Sequence, residues 1–320
     1  DAFGEVTTPA ADLDDFVIQK ADGWPTYHLA NVVDDALMGV TLVCRGQEFL
    51  GQTWRQSVLR EALGFEEPRF VHLPLILDMK GRKLSKRDGD VQVHAFRVAG
   101  FLPETMVNFL ALLGWNPGGG CEKFTLAELI DLFAVERIGK TNAKFDRDKL
   151  LAFNTDAVAA ADEDRLLGGL QDFLGLNDTP IPPGDHRLLQ HLIRSNRGFR
   201  TFADIPAKCG ALFVADDAFD YDANAIRKVL LKNEGAGFAV LADLRGLFDQ
   251  LPRRDWSAEA VKSLLADYCI ARDLGMAKVA QPVRVAVTGS LISPPIHDTL
   301  IILGRPKTLA RIDRCLELKK

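Results

Sequence analysis

The chain has 320 residues, of which 47% are hydrophobic and 26% are charged, and its formal net charge at pH 7 is -5. These values predict a soluble globular protein that is large enough for two or three domains. They exclude a molecule that binds nucleic acid non-specifically through its overall charge, so any RNA contact must use local basic patches.

The cysteine pattern argues against a fold stabilised by a structural metal or by disulfide bonds. The five cysteines lie far apart and form no Cys-x-x-Cys pair, so we expect no structural zinc and no disulfide framework. No apolar stretch reaches the roughly 20 residues that span a bilayer, and no signal peptide opens the chain. We therefore expect a cytoplasmic protein.

The first quarter of the chain alternates strands and helices. The pattern predicts a short strand over 15–19 and a helix over 27–38 that ends at Gly39. A continuous apolar run over 40–44 indicates a strand covered on both faces. A helix over 53–63 follows, with Gly64 at its carboxyl end, and then a strand over 71–77. Such alternation favours part of an open parallel sheet.

The rest of the chain is predicted to be helical. Pro103 opens a helix over 104–113, and Thr125 with Glu128 matches a capping box. A connector over 177–185 is rich in Pro and Gly and separates helical regions. Further helices are expected at 186–195, 222–233, 238–250 and 257–274.

A cationic loop follows the strand predicted at 71–77. Five Lys or Arg side chains fall within residues 80–87, without an acid among them, and Gly81 and Gly89 let the segment bend. A flexible cationic loop at the end of a buried strand suits a polyphosphate whose charge shifts during a reaction. The alternative is an ordinary solvated charged loop.

Arg45 stands at the carboxyl end of the strand predicted at 40–44, where open parallel sheets bind ligands. If the two strands are neighbours, Arg45 and the cationic loop face one crevice, and Arg45 can grip a carboxylate bidentately. An ion pair with Glu48 is the alternative. Tyr27 and Asn31 are four residues apart, so they share a helix face and can meet one small polar ligand. Tyr27 can equally be a core aromatic residue.

Four segments in this order and spacing closely resemble the glutamyl-tRNA synthetases of the bacterial type, which are class I aminoacyl-tRNA synthetases. They are Asp-Gly-Trp-Pro-Thr-Tyr at 22–27, Ala-Asn-Val-Val-Asp-Asp at 30–35, Arg-Gly-Gln-Glu-Phe at 45–49 and Lys-Leu-Ser-Lys-Arg at 83–87. The likeness continues through 100–104 and 279–289, so it covers essentially the whole chain.

The resemblance implies a mobile signature loop that binds ATP and stabilises charge on its phosphates. Lys83 and Lys86 would be the catalytic cations of this loop, and Ser85 and Arg87 would also bind ATP. Backbone near Leu75 and Ile76 would meet the adenine. The reaction needs no protein nucleophile, so positioning and charge stabilisation are the expected mechanism.

The resemblance also implies the substrates. Arg45 would hold the side-chain carboxylate of glutamate, Tyr27 and Asn31 would line the amino-acid pocket, and Glu48 would face the nucleotide and the substrate. The activity would be that of a glutamate–tRNA ligase, which activates glutamate with ATP and transfers it to tRNA(Glu). Mg2+ would accompany ATP as substrate, with no dedicated metal site or zinc in the protein, and a monomer is the usual family form.

The implied fold is the α/β second half of a class I Rossmann-type catalytic domain, followed by a stem-contact domain and an all-α anticodon-binding region. The expected boundaries are 1–90, 91–162 and 163–320, the last with two subdomains. One stripe without acids, over 186–203, is a candidate tRNA contact through Arg187, Arg194, Arg197 and Arg200. A solvated helix face is its alternative. Arg284 lies among apolar residues, so we expect it to be structural.

The family's other ATP-binding signature, His-Ile-Gly-His, is missing from the sequence. We therefore expect an N-terminally truncated chain that cannot form glutamyl-adenylate alone. A glutaminyl-tRNA synthetase shares the catalytic fold but has a β-barrel anticodon region, and a glutamyl-queuosine-type paralogue should stop soon after the cationic loop. A non-catalytic tRNA-binding fragment or paralogue is the alternative from another functional class.

Overall fold

The computed structural model describes residues 3–84 and 91–319. The chain divides into two compact units: unit 1 is residues 1–93 with 103–153, and unit 2 is residues 94–102 with 154–320. Within the described part, none of the helices combines the length and the hydropathy that crossing a membrane requires.

The helices predicted up to residue 160 are present within two residues of their predicted bounds, whereas those over 93–98 and 147–160 were not predicted. Gly64 ends the second helix with φ 72°, a conformation that suits glycine, and the capping box of Thr125 and Glu128 is present. A 3-10 helix, Gln47–Gln52, connects the first strand to the second helix. The α-helices of this part are α1 (Tyr27–Leu37), α2 (Thr53–Leu63), α3 (Val93–Val98), α4 (Pro103–Ala111), α5 (Leu126–Leu132) and α6 (Arg147–Ala160).

Unit 1 contains two parallel strand pairs, and the first of them positions Arg45. In this pair β1 (Leu42–Gly46) lies beside β2 (Arg69–Leu73), with Arg45 opposite His72. The two predicted strands are therefore neighbours with the same direction, as expected. The expectation that the first strand is covered on both faces is wrong, because β1 alternates between exposed and half-buried residues and has β2 as its partner in a two-stranded sheet.

The second pair corrects the single strand predicted over 71–77. Pro74 has no N–H group to continue the β2 ladder, so the run breaks there. The chain then turns to a new partner, because Leu75 N–H donates to Asn142 Oδ1 at 2.9 Å and Ala143 N–H donates to Leu75 O at 3.0 Å. The resulting parallel pair is β3 (Ile76–Leu77) with β4 (Ala143–Lys144).

The strand predicted at 15–19 is also wrong. Gln19 forms an isolated bridge with Pro25, and Thr26 N–H donates to Ile18 O at 2.8 Å. This segment therefore folds back on its own turn and does not join a sheet.

The regular elements of unit 2 are helices joined by turns and loops, and no strand occurs between residues 154 and 319. One continuous apolar core includes Leu170, Leu192, Phe238, Val283 and Ile312. Arg284, expected to be structural, donates from Nε to Ser293 Oγ at 2.8 Å. The α-helices from residue 163 onwards are α7 (Glu163–Leu176), α8 (His186–Ser195), α9 (Asp204–Cys209), α10 (Ala223–Ala225), α11 (Lys232–Gln250), α12 (Ala258–Arg272), α13 (Met276–Thr288), α14 (Ile296–Leu303) and α15 (Arg305–Glu317).

The helix predicted over 222–233 is interrupted. After α10 the backbone forms a π-helix, Ile226–Leu230, and the start of α11 contains three successive left-handed residues, Asn233, Glu234 and Gly235. Gly237 follows at a close backbone approach, where a Cβ atom would collide with the carbonyl oxygen of Val229. Unit 2 therefore bends sharply between these helices and needs glycine to do so.

Arg311 on α15 is fully buried and forms hydrogen bonds that connect the loop over 211–219 to the core of unit 2. Its Nη1 donates to the carbonyl oxygens of Ala211 and Val287 at 2.7 and 2.8 Å, and its Nε donates to Asp216 Oδ1 at 2.7 Å. The guanidinium also lies 4.6 Å from the ring centroid of Phe219. A buried cation is tolerated here because its N–H groups have acceptors.

Candidate functional site

The centre of the candidate site in unit 1 is Arg45, which lies near the carboxyl end of β1. Two side chains of α2 accept from its guanidinium: Gln56 Oε1 from Nη1 at 2.6 Å and Thr53 Oγ1 from Nη2 at 2.8 Å. Its Nε lies 3.4 Å from His72 Nε2, across the β1–β2 pair. The guanidinium is therefore fixed from two sides.

Aromatic rings enclose the same guanidinium. Its carbon lies 5.3 Å from the ring centroid of Phe49 and 5.3 Å from that of Phe70, and both are cation–π distances. Burial lowers the pKa of Arg45, and Tyr27 opposes that shift. An arginine this basic still carries its charge at neutral pH.

Arg45 forms no ion pair with any carboxylate in the part of the chain that the structure describes. Among residues 3–84 and 91–319, no carboxylate lies within ion-pair distance of its guanidinium, and its hydrogen-bond partners are neutral. The alternative ion pair with Glu48 is absent there, since Glu48 pairs with Lys83. A half-buried cation with only neutral partners is a suitable site for an anionic ligand.

Two further residues expected to bind substrate converge on Arg45. Gln56 is 2% exposed and donates from Nε2 to Asn31 Oδ1 at 2.7 Å, so Asn31, Gln56 and Arg45 form one chain of hydrogen bonds. Tyr27 lies on the same helix as Asn31, and its ring centroid is 6.1 Å from that of Phe49. Tyr27 is 54% exposed, so the interpretation as a core aromatic is wrong.

The pKa values of two histidines near Arg45 are lowered. The pKa of His72 is lowered first by burial and then by the positive charge of Arg45. The pKa of His28 is lowered by burial and then by Arg55 and Arg45. Both shifts disfavour a second positive charge, on either imidazole, beside Arg45.

Glu48 lies just beyond β1 and connects it to the cationic loop. Its Oε1 is 3.1 Å from Lys83 Nζ, and its carboxylate folds back over Gly46, where a side chain would collide with it. Its own backbone N–H group lowers the pKa of Glu48 most, followed by the hydrogen bond from Lys83. Lys83 is thereby held at the end of the sheet where Arg45 lies.

A hairpin turn brings Lys83 to this position. Asp78 N–H donates to Arg82 O at 2.8 Å, and Leu84 N–H donates to Ile76 O at 2.9 Å, so the chain reverses beside β3. The Asp78 carboxylate accepts from the N–H groups of Lys80 and Arg82 and from Arg82 Nε at 2.7 Å. The backbone N–H of Arg82 is the largest cause of a lowered pKa for Asp78.

The other predicted ATP-binding residues are less informative. Ser85, Lys86 and Arg87 lie outside the described residues. Leu75 and Ile76 are placed in the β3 region, but both backbone groups of Leu75 are already bonded to Asn142 and Ala143. An adenine contact at Ile76 stays a prediction. No group of three or more His, Cys, Asp or Glu side chains in the described part of the chain is arranged to hold a metal ion.

The four arginines of the stripe in unit 2 (Arg187, Arg194, Arg197 and Arg200) are exposed, and two of them form ion pairs. Arg194 forms a two-pronged ion pair with Glu163, with Nη2 to Oε1 at 2.6 Å, and Arg200 Nε lies 3.8 Å from Asp204. Arg187 and Arg197 have no ion pair with any described carboxylate. Glu163 and Asp204 lie outside the acid-free stretch over 186–203, so the composition of that stretch did not predict these ion pairs.

Family models, curated relatives and solved structures match both units of this chain. Residues 2–152 match the catalytic domain of class I tRNA synthetases (E and Q), and residues 166–316 match an anticodon binding domain. Glutamate–tRNA ligase 2 of Halorhodospira halophila is 38% identical and glutamate–tRNA ligase 1 of Alkalilimnicola ehrlichii is 39% identical, each over 98% of this chain. The crystal structure of a glutamate tRNA ligase from Elizabethkingia meningosepticum in complex with its amino acid matches 96% of this chain, with a TM-score of 0.74 and 30% identity.

The chain belongs to the glutamate–tRNA ligase family. It spans 65% of the length of the two curated relatives and 63% of the crystallised chain. The glutaminyl alternative is not supported, because the region from 154 to 319 contains helices and no strand. The short glutamyl-queuosine-type paralogue is not supported either, because the anticodon binding domain is matched.

Sequence reasoning missed several residues that surround Arg45. Thr53, Gln56 and His72 contact Arg45 directly, and Phe49 and Phe70 enclose it. The one available signal was that Thr53 and Gln56 are three apart at the start of a helix that follows Arg45 closely. His72 could be found only from the pairing register of the two strands.

Proposed function

We propose that this chain supplies the glutamate-binding, ATP-phosphate-binding and tRNA-binding parts of a glutamate–tRNA ligase. The reaction is the activation of glutamate by ATP, with Mg2+ as part of the nucleotide substrate, and transfer of glutamate to tRNA(Glu) in the cytoplasm by a monomer. The observation that carries this proposal is the half-buried guanidinium of Arg45, which has neutral hydrogen-bond partners among the described residues and lies between Phe49 and Phe70.

Arg45 would hold the side-chain carboxylate of glutamate. Its Nη atoms are occupied on one side by Gln56 and Thr53, which fix the plane of the guanidinium, so little orientation entropy is lost on binding. Tyr27 and Asn31 would line the same pocket from α1, and Glu48 would face the nucleotide. A neutral amide such as glutamine would leave the Arg45 charge uncompensated, so glutamate is favoured.

Lys83 and Lys86 would stabilise negative charge on the ATP phosphates while the glutamate carboxylate attacks the α-phosphate and pyrophosphate leaves. Ser85 and Arg87 would add contacts to the nucleotide, and the backbone at Leu75 and Ile76 would face the adenine. The hairpin at Asp78 supports this proposal because it sets Lys83 beside Glu48 at the ligand end of the sheet.

The tRNA-binding part would comprise a stem-contact domain at 91–162 and an anticodon-binding region at 163–320, after the catalytic part at 1–90. Arg187, Arg194, Arg197 and Arg200 are the proposed contacts to backbone phosphates and unstacked bases. Their exposure on the surface of unit 2 supports this role.

Calorimetric titration of the chain with glutamate, glutamine and aspartate tests the proposal. We expect glutamate to bind best and Arg45→Gln to weaken its binding roughly 10- to 150-fold, the range for hydrogen bonds to a charged group. Arg69→Gln is the matched control, because Arg69 is 72% exposed and pairs with Glu136 on the surface. If tRNA binds but glutamate does not, with or without Arg45, the chain is the non-catalytic tRNA-binding alternative.

A further inference from the structure

One buried amide connects two residues that are proposed to bind glutamate, Arg45 from β1 and Asn31 from α1. Gln56 lies in the first turn of α2 and is 2% exposed. Its Oε1 accepts from Arg45 Nη1 at 2.6 Å, and its Nε2 donates to Asn31 Oδ1 at 2.7 Å. Both ends of the amide are therefore bonded to the protein, and a bound ligand is affected by Gln56 through Arg45 and Asn31.

The direction of these two hydrogen bonds follows from the chemistry of Arg45. A guanidinium only donates, so Gln56 must present its oxygen to Arg45 and its NH2 group to Asn31. Asn31 must then accept with Oδ1, which turns its own NH2 group away from Gln56. One amide thereby sets the orientation of both side chains.

Thr53 fixes the other half of the same guanidinium. Its Oγ1 accepts from Arg45 Nη2 at 2.8 Å and donates to the carbonyl oxygen of Phe49 at 3.0 Å. Gln56 and Thr53 each use one N–H group of a different Nη atom, and each Nη atom carries two. A second N–H group on each Nη atom is therefore not used by α2.

Gln56 is neutral, and this property decides what Arg45 can bind. Asp35 also acts on the charge of Arg45, but its carboxylate pairs with Arg60 Nη2 at 3.4 Å. A carboxylate in place of the Gln56 amide would lie at hydrogen-bond distance from Arg45 Nη1 and would compensate its charge directly. It would hold the guanidinium as firmly as the amide does, but it would remove the reason for an anion to bind.

We infer that Gln56 is a positioning residue that determines specificity, because its neutral amide holds Arg45 and Asn31 in place and leaves the charge of Arg45 for the side-chain carboxylate of the substrate. In Gln56→Glu the new carboxylate neutralises Arg45 and has no N–H group for Asn31 Oδ1, so the Asn31 amide must turn over. The pocket then no longer prefers an anionic amino acid to its amide. This inference rests on the proposed binding of glutamate at Arg45.

Calorimetric titration of the whole chain with glutamate and with glutamine tests the inference. We expect Gln56→Glu to weaken glutamate binding about 10-fold or more and glutamine binding much less, so that the preference for glutamate is lost. Gln56→Met is uncharged, so glutamate binding should weaken only about 2- to 10-fold and the preference should remain. Gln92→Glu is the matched control, because it makes the same change of charge at an exposed position of unit 1.

Nitrogen-15 NMR of the Arg45 side chain gives a second readout that needs no ligand. Gln56 and Thr53 hold the two Nη groups against different acceptors, so we expect separate signals for them in the unmodified chain. In Gln56→Met only Thr53 remains as an acceptor on α2, and the two signals should exchange faster and merge. In Gln56→Glu they should stay separate, because the carboxylate still accepts from Nη1. This pattern separates the loss of positioning from the loss of charge.

The inference is overturned if Gln56→Glu prefers glutamate as strongly as the control variant does. An equal loss of preference in Gln56→Met and Gln56→Glu would also overturn it, because the neutrality of the side chain would then not be the cause. Separate Nη signals in Gln56→Met would contradict the positioning role.

The titrations also separate this inference from the proposed function. If the unmodified chain binds no glutamate, the proposed function fails and this inference fails with it. If glutamate binds and depends on Arg45, but Gln56→Glu keeps the preference for glutamate, only the role of Gln56 fails.

Discussion

Arg45 and His72 lie directly opposite each other in the parallel β1–β2 register, and their side chains meet at 3.4 Å. His72 is 1% exposed, so its imidazole is desolvated beside a fixed positive charge. Both effects lower the pKa of His72 below its ordinary value. The pocket that would bind a carboxylate is therefore built on a histidine that must stay neutral.

This arrangement predicts that unit 1 loses stability in mild acid. A histidine whose folded pKa is lowered takes up a proton more readily when unfolded, so the free energy of unfolding falls as the pH drops below about 6.5. The loss continues until the pH reaches the folded-state pKa. Urea unfolding followed by tryptophan fluorescence at several pH values would show it, because Trp24, Trp54 and Trp115 all belong to unit 1.

His72→Gln is the control for this pH dependence. Glutamine does not titrate, so in this variant the free energy of unfolding should depend less on pH. Adding His28→Gln should weaken the dependence further, because the pKa of His28 is also lowered. If the double variant destabilises with acid as strongly as the unmodified chain, the two histidines are not the cause.

Gly46→Ala should release Glu48 from Lys83. A methyl group at position 46 would occupy the space of the Glu48 carboxylate, which must then move away. The carboxylate would lose its hydrogen bonds from the backbone N–H of Glu48 and from the ammonium of Lys83. We expect the pKa of Glu48 to rise toward its ordinary value, measured by NMR titration of the carboxyl carbon. Gly51→Ala is the matched control, because the space around Gly51 is open. An equal pKa of Glu48 in both variants would contradict the close packing.

Asp78→Asn should loosen the hairpin that carries Lys83. The carboxylate accepts from two backbone N–H groups and from Arg82, and an amide loses the charge-assisted part of these bonds. We expect several-fold faster hydrogen exchange at Leu84, whose N–H bonds Ile76 across the hairpin. Because the pKa of Asp78 is lowered, the same loosening should appear in the unmodified chain as the pH falls through that pKa. Glu136→Gln, which alters a surface ion pair of unit 1, should leave Leu84 unaffected.

Local signals explain which elements could be predicted. The helix over 53–63 has the predicted bounds, and the capping box at Thr125 is formed, because both depend on residues within a few positions of each other. The segment over 71–77 was predicted as a single strand but contains two. The break could not be predicted because the two partner strands, β1 and β4, lie far away in the chain. The left-handed conformation of Glu234 carries no sequence signal, because Glu seldom adopts it, although its neighbours Asn233 and Gly235 are of the types that do.

The residues of the candidate site also divide into those that local sequence could predict and those that it could not. The positions of Arg45 and Lys83 could be predicted, because each lies at or beyond the carboxyl end of an apolar strand, whereas their binding roles stay predictions. Gln56 and Thr53 could not be predicted as Arg45 partners, since nothing local shows which face of α2 packs on β1. The same holds for Glu163, which engages Arg194 from another helix.

Arg311→Met should strongly destabilise unit 2. The side chain is fully buried, and its removal leaves the carbonyls of Ala211 and Val287 without donors and Asp216 without its cation. We expect a loss of about 3–5 kcal/mol in the free energy of unfolding, as for other broken buried ion pairs. Urea unfolding followed by far-UV circular dichroism would measure it, because unit 2 contains most of the helical residues. Arg245→Met removes a more exposed ion pair with Asp313 and should cost under about 1 kcal/mol. Equal losses would show that the Arg311 contacts contribute little.

Within the arginine stripe, Arg197→Gln should weaken tRNA binding more than Arg194→Gln. Arg194 must leave a two-pronged ion pair with Glu163 before it can contact a phosphate, whereas Arg197 is exposed and has no such partner among the described residues. We expect Arg197→Gln to lower the salt slope of tRNA binding by about 0.7 to 0.9, the value for one phosphate contact. Glu163→Gln should strengthen binding, because it frees Arg194. Arg254→Gln, an exposed change elsewhere in unit 2, is the control. Weaker binding by Glu163→Gln would mean that the ion pair holds Arg194 in its binding position and does not compete with RNA.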